Sequence, residues 1–159
     1  MKKTGDTLDL DFDVKVVRGQ GGDPETVSFS DLLSGPTVVS IYMRNNTGSC
    51  DKQNDSLVEH AGEITAAGWN VIAISRDTAN SHCRYAAKKS IDYTLVSDPE
   101  DLFAKAAEAI VEKKMYGKTY EGPLRSAWLL SADGTVRAII EKVDAKAHGS
   151  QVMDAIKAT

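Results

Sequence analysis

The stretch Val38-Val39-Ser40-Ile41-Tyr42-Met43-Arg44-Asn45-Asn46-Thr47-Gly48-Ser49-Cys50 decides the fold. Thr37 to Met43 is an apolar run rich in β-branched residues, bounded by Gly35-Pro36 and Asn45-Asn46, and reads as a buried strand. A polar loop then leads into a helix. Ser49 is a suitable N-cap, which places Cys50 in the first turn. Unpaired amides and the positive end of the helix dipole favour an anion there. The thiolate is the nucleophilic form of cysteine, so Cys50 is the candidate nucleophile. The alternative is a buried structural thiol. The small or polar neighbours Asn45 to Ser49, Asp51 and Lys52 speak against it.

Downstream, Leu57, Val58, Ala61 and Ile64 fall at helical spacing to about Ala67, and Gly68 stops the helix. Asn70 to Ser75 is a second apolar strand. A strand–helix–strand unit predicts parallel pairing with a right-handed crossover. Asp77 or Thr78 caps a helix to about Lys89, and Tyr93 to Val96 is a short strand. Asp98 as N-cap with Pro99 at the first helical position predicts a helix with the stripe Leu102, Ala106 and Ile110. Lys113 to Leu124, with Gly117, Gly122 and Pro123, reads as a loop. Ser126 to Ser131 and Val136 to Val143 form a hairpin around Asp133-Gly134, and Ala145 to Ala158 closes the chain as a helix.

Upstream, Thr7 to Val17 alternates apolar and polar residues, as in a half-buried strand or extended arm. Gly19 to Pro24 is a turn, Glu25 to Phe29 a short strand and Ser30 to Leu33 a helical turn. Without repeats or linkers, residues 1–159 read as one α/β domain with a central mixed sheet flanked by helices.

A chain of 159 residues suits one domain burying roughly 70% of its unfolded surface. Net charge is −4 with no basic cluster, which argues against nucleic acid or an anionic membrane as partner. No apolar segment follows the basic N-terminus, and no stretch is long enough to span a bilayer. The expected location is the cytoplasm. In a reducing compartment two cysteines read as catalytic, redox-active or buried rather than as a staple.

Thr47, three residues before Cys50, has a hydroxyl that could bond both the sulfur and a bound oxygen substrate. Arg125 opens a strand and could stabilise a thiolate and a developing negative charge. Arg44 is a second cation near the loop. His60 and His148 read as solvated helix residues. Cys50, His60, His82 and Cys83 lack zinc-ligand spacing, so no metal is expected.

Thr47-Gly48-Ser49-Cys50 after an apolar strand resembles the Thr-x-x-Cys motif of the peroxiredoxins. Met115 to Ser126, Ile74-Ser75-Arg76-Asp77 with Ser81-His82, and Leu95-Val96-Ser97-Asp98 are similar to the branch called bacterioferritin comigratory protein or peroxiredoxin Q. The resemblance runs through nearly the whole chain. It implies a thioredoxin-like fold and a thiol peroxidase acting on hydrogen peroxide or small organic hydroperoxides, without metal or prosthetic group. It also implies regeneration by thioredoxin or a similar dithiol, in a monomer or weak homodimer. Carried over, Cys50 matches the peroxidatic cysteine, Thr47 the active-site threonine and Arg125 the active-site arginine. Cys83 is the candidate resolving cysteine, on the helix where some members carry one.

The chain departs from the pattern at three positions. Met43 and Gly48 stand where the branch usually has prolines that stiffen the loop. Asp55 stands where many members carry a resolving cysteine. Two other readings follow: a redox-sensing or interaction module with little turnover, and a thiol–disulfide exchange protein. Gln53, in place of the second cysteine of a Cys-x-x-Cys motif, opposes the latter.

Overall fold

A computed structural model describes residues 1–159. The strand read from the opening stretch is β3 (Thr37–Ile41), preceded by β1 (Asp13–Arg18) and β2 (Glu25–Ser28). After β3 come α1 (Gly48–Ala66), β4 (Asn70–Ser75), α2 (Ala79–Lys89) and β5 (Thr94–Ser97). The short α3 (Leu102–Ala106) leads to β6 (Ile110–Met115) and β7 (Lys118–Pro123). β8 (Ala127–Leu130), β9 (Val136–Ile140) and α4 (His148–Ala158) complete the chain.

Seven strands form one mixed sheet in the order β2-β1-β5-β4-β3-β8-β9. β3, β4 and β5 are parallel, as the crossover rule requires, and β1 and β8 run antiparallel to their neighbours. Strand alternation sends Val39, Ile41, Ile72 and Ile74 into a core with Phe29, Phe103 and Trp128. Val38, Tyr42, Val71 and Ala73 face the opposite core, shared with Leu57, Ile64, Tyr85 and Val152 of the helices. Cys50 belongs to this second core.

Several expectations are refined or corrected. The alternating N-terminal stretch combines the two alternatives read from it, an extended arm and a regular strand that starts at Asp13. Before it, an arm lies along the start of β9, where Leu8 N donates to Gly134 O and Val136 N to Asp6 O. Asp98 does cap a helix, but from a distance: its carboxylate accepts from Leu102 N and Phe103 N, so Pro99 lies outside α3. α3 ends at Ala106, and Ile110 starts β6 instead of extending the helical stripe.

Lys113 to Leu124 is not a loop. It lies mostly in a two-stranded hairpin, β6 with β7, separate from the main sheet. Its turn residues Tyr116 and Gly117 both have positive φ, 53° and 76°, the geometry of a type I′ turn. The partner strand of the second hairpin stops at Ile140. The closing segment splits into a 3-10 turn, Ala145–Ala147, and α4.

α4 packs across α1 at Gly149. A Cβ there would lie 2.3 Å from His60 Nδ1 and 2.5 Å from Ser56 O. Gly149 N donates to Ser56 Oγ at 2.8 Å, so the missing side chain permits a direct backbone-to-helix bond.

Candidate active site

The first ladder bond of α1 runs from Asp51 N to Thr47 O at 2.7 Å. The amides of Gly48, Ser49 and Cys50 therefore lie ahead of the ladder at the positive helix end. Thr47, not Ser49, is the N-cap residue, with extended backbone angles. Its hydroxyl donates to Arg44 O at 3.0 Å. That bond closes the loop on itself and keeps the hydroxyl's lone pairs for an incoming donor. Cys50, the third residue of the helix, is almost wholly buried, at 1% exposure.

Arg125 reaches the sulfur from the segment between β7 and β8. Its Nη2 donates to Cys50 Sγ at 3.3 Å. The backbone beneath it is fixed, because Ile41 N donates to Ser126 O at 2.8 Å. Ser126 Oγ in turn donates to Leu124 O and accepts from Trp128 Nε1. A guanidinium so held complements a negative charge on sulfur and on oxygens bound beside it. Of the residues singled out from sequence, the structure brings Cys50 and Arg125 into contact. Arg44 is exposed and contributes its carbonyl rather than its charge.

The loop between β3 and α1 is anchored by a residue that sequence reasoning passed over. Asn45 is buried, and its Oδ1 accepts from Tyr42 Oη. Its amide nitrogen contacts Ser81 Oγ and His82 Nδ1, both at 3.1 Å, and its backbone N–H donates to Asp77 Oδ2. Asn45 thus ties the nucleophile loop to the start of α2. His82 is fully buried, with Nε2 3.1 Å from Val96 O. These partners define a neutral ring with the proton on Nε2. Burial pushes its pKa down to about 4, against the pull of Asp77 and the Val96 carbonyl.

His148, expected to be solvated, is fully buried. Its Nε2 accepts from Ser40 Oγ at 3.0 Å, and its Nδ1 lies 3.3 Å from Gln151 Oε1. Burial pushes this ring also down to about 4, Gln151 opposing and the Arg125 charge adding to the shift. The signal that could have found it was Ser40, a polar residue in a buried strand that needs a partner. His60 is half-buried and lies against Ser56 O at 2.9 Å.

A second group of contacts binds the first turns of α1 to α2. Tyr85 Oη donates to Asp51 Oδ1 at 2.7 Å, and Lys88 Nζ to Asn46 Oδ1 at 2.7 Å. Lys89 pairs with Asp55 at 3.2 Å. Asn54 Nδ2 donates to Cys50 O at 3.2 Å, and its Oδ1 accepts from Tyr93 Oη. Cys83 is half-buried, with Sγ 3.6 Å from Gly22 O in the turn between β1 and β2. Both cysteines are free thiols. No group of three or more His, Cys, Asp or Glu side chains is placed to hold a metal ion.

Cys50 thus lies at a helix start, three residues after a threonine N-cap and 3.3 Å from an arginine nitrogen. The family model described as AhpC/TSA matches residues 9–139. Peroxiredoxin Bcp of Xanthomonas campestris pv. campestris is 34% identical over 121 residues, covering 76% of both chains. The chain belongs to the AhpC/TSA family, as a peroxiredoxin of the Bcp type. Peroxiredoxin Bcp of Escherichia coli is 29% identical over 135 residues, 85% of this chain and 86% of its own. A solved structure of the Xanthomonas campestris bacterioferritin comigratory protein, described for alkyl peroxide reduction, superposes with TM-score 0.82. It is 28% identical and covers 98% of each chain. This peroxiredoxin therefore has the thioredoxin fold expected from its sequence, and it is an enzyme with thiol peroxidase activity.

Proposed function

We propose that Cys50 is the nucleophile that reduces hydrogen peroxide and small organic hydroperoxides. The observation that carries this reading is the 3.3 Å contact from Arg125 Nη2 to Cys50 Sγ at the start of α1. The Cys50 thiolate attacks the terminal oxygen of R–O–O–H, and the O–O bond breaks. Sulfur is oxidised to sulfenic acid, and the departing oxygen takes up a proton to leave as water or an alcohol. Arg125, the Thr47 hydroxyl and the free amides of the helix start hold the two oxygens as charge moves onto the leaving one.

Cys83 then resolves the sulfenic acid. Its thiolate attacks Cys50 sulfur, the sulfenic hydroxyl takes up a proton from solvent and leaves as water, and a Cys50–Cys83 disulfide forms, to be reduced by thioredoxin or a similar dithiol. Cys50 is buried, and Cys83 faces the Gly22 turn, so the disulfide requires the first turn of α1 to unwind. The family resemblance supports a monomer or weak homodimer acting in the cytoplasm. No helix is long and apolar enough to cross a membrane.

Rapid mixing of the reduced protein with peroxide, followed by mass analysis of each thiol, tests the reading. Fast loss of the Cys50 thiol, abolished in Cys50→Ser, is expected. Oxidation no faster than that of free cysteine refutes it.

A further inference from the structure

A hydrogen-bond relay runs from the end of β4 to the threonine beside the nucleophile. A trans peptide is planar, with its carbonyl and its N–H on opposite sides, and no peptide of this chain is cis. The peptide joining Arg44 to Asn45 is engaged at both ends. Its N–H donates to Asp77 Oδ2 at 2.9 Å, and its carbonyl accepts from the Thr47 hydroxyl at 3.0 Å. The orientation of this one plane therefore decides where the Thr47 hydroxyl points.

Both flanks of the plane are fixed. Asp77 Oδ2 also accepts from Ser75 Oγ, on the last residue of β4, and Asp77 N donates to the same hydroxyl at 3.2 Å. β4 is stitched to the start of the loop, where Tyr42 N donates to Ile74 O at 3.0 Å. The Asn45 side chain is clamped between Tyr42 Oη on one side and Ser81 and His82 on the other. The chain turns back to Thr47 through Asn46, whose φ of 62° is left-handed, a conformation asparagine tolerates. Lys88 Nζ donates to the Asn46 side chain.

A threonine hydroxyl has one proton and two lone pairs. With its proton on the Arg44 carbonyl, the Thr47 oxygen only accepts, and a hydroperoxide supplies an O–H to be accepted. An unheld hydroxyl would rotate and present its proton instead. We propose that Asp77 is a positioning residue of the peroxide reaction: by gripping the N–H of the Arg44–Asn45 peptide, it sets the carbonyl that orients the Thr47 hydroxyl toward the hydroperoxide. The proposal rests on Cys50 as the nucleophile and Thr47 as a substrate contact. Asp77 acts on Thr47 through one rigid plane and the hydrogen bonds at its two ends.

A double-mutant cycle in the full-length reduced protein tests this. Thr47 makes no side-chain cap bond, so Thr47→Val removes the hydroxyl and its bond to Arg44 O without uncapping α1. Asp77→Ala is expected to slow Cys50 oxidation by hydrogen peroxide about 10-fold, within the roughly 100-fold that misplacing a reacting group by about 1 Å costs. In the Thr47→Val background the same substitution slows it less than about 2-fold, the scatter of independent sites. Alkylation of Cys50 by iodoacetamide, which brings no hydroperoxide, is unchanged by Asp77→Ala. Asp77→Asn keeps an acceptor oxygen and recovers oxidation to within about 3-fold of wild type, a neutral acceptor being weaker than a charged one. Ser75→Ala leaves Asp77 in place and gives a smaller loss with the same dependence on Thr47. Equal losses from Asp77→Ala in the two backgrounds, unchanged oxidation in Asp77→Ala or Thr47→Val, or an Asp77→Asn variant as slow as Asp77→Ala would overturn the proposal. Peroxide reduction surviving in Cys50→Ser would instead remove the nucleophile on which it depends.

Discussion

Acid should unfold this protein earlier than its carboxylates alone require, because two buried imidazoles are held neutral. His82 and His148 have pKa values near 4 in the folded chain, against about 6.5 when unfolded. Between these values the unfolded chain binds protons that the folded chain refuses. Stability is therefore complete above about pH 7 and is lost as pH falls through the window. With those values each ring removes about 2 kcal/mol between pH 7 and pH 5, about 4 kcal/mol for the pair. That is a large part of the 5–15 kcal/mol typical of a domain. Urea unfolding at pH 7, 6 and 5 measures the loss, and His148→Gln should halve its pH-dependent part. The two titrations differ in consequence. Protonated His82 would turn a second N–H toward the Asn45 amide, loosening the nucleophile loop, whereas protonated His148 breaks its bond from Ser40. A pH-independent stability between pH 7 and 5, or His82 and His148 ring signals both titrating near 6.5 by NMR, would refute the reasoning.

Gly149→Ala should destabilise the fold by about 1–3 kcal/mol, the usual cost of overpacking, because one contact of the new Cβ is the Ser56 backbone carbonyl. Alanine's better helix propensity offsets about 1 kcal/mol at most; chemical denaturation reads the net loss, and unchanged stability would contradict the close packing. Tyr85→Phe removes the bond to Asp51 that holds the first turn of α1. At about 1 kcal/mol for that bond, Cys50–Cys83 disulfide formation should accelerate about 5-fold, with initial Cys50 oxidation unchanged; quenched-flow mass analysis separates the steps, and a slower disulfide would count against unwinding.

The sequence made the parallel centre of the fold legible because β3, β4 and the intervening helix carry strong, uninterrupted periodicity. It also marked Cys50, since a helix start is a local feature, whereas Arg125, alone readable as a surface residue at a strand end, stood out through the family resemblance, and the fold brings the two together. The β6–β7 hairpin was hidden for the opposite reason. Most of its side chains are at least partly exposed, including Tyr116 at 97% and Met115 at 54%, so no alternation marks its strands. Glycine and proline in β7 also argue against a strand in isolation. α3 was misjudged because Asp98 satisfies amides four and five residues on, a reach that local capping rules do not anticipate. Asn45 and His148 owe their roles to partners 32 to 108 residues away, which no local pattern reveals.

The detached hairpin lies beside the nucleophile loop at Met43 and Arg44 and differs mechanically from the backbone that carries Arg125. Arg125 stands on backbone stitched to the central strand β3, so displacing it disturbs the seven-stranded sheet. The hairpin is a ribbon whose ladder bonds are made within itself, from Ile110–Pro123 to Met115–Lys118. Such a ribbon can open as a separate low-cost unit while the sheet remains folded. The backbone beneath Arg125 is therefore coupled to global stability, whereas the hairpin, which shares a recess with Met43 and Arg44, can fluctuate without opening the sheet.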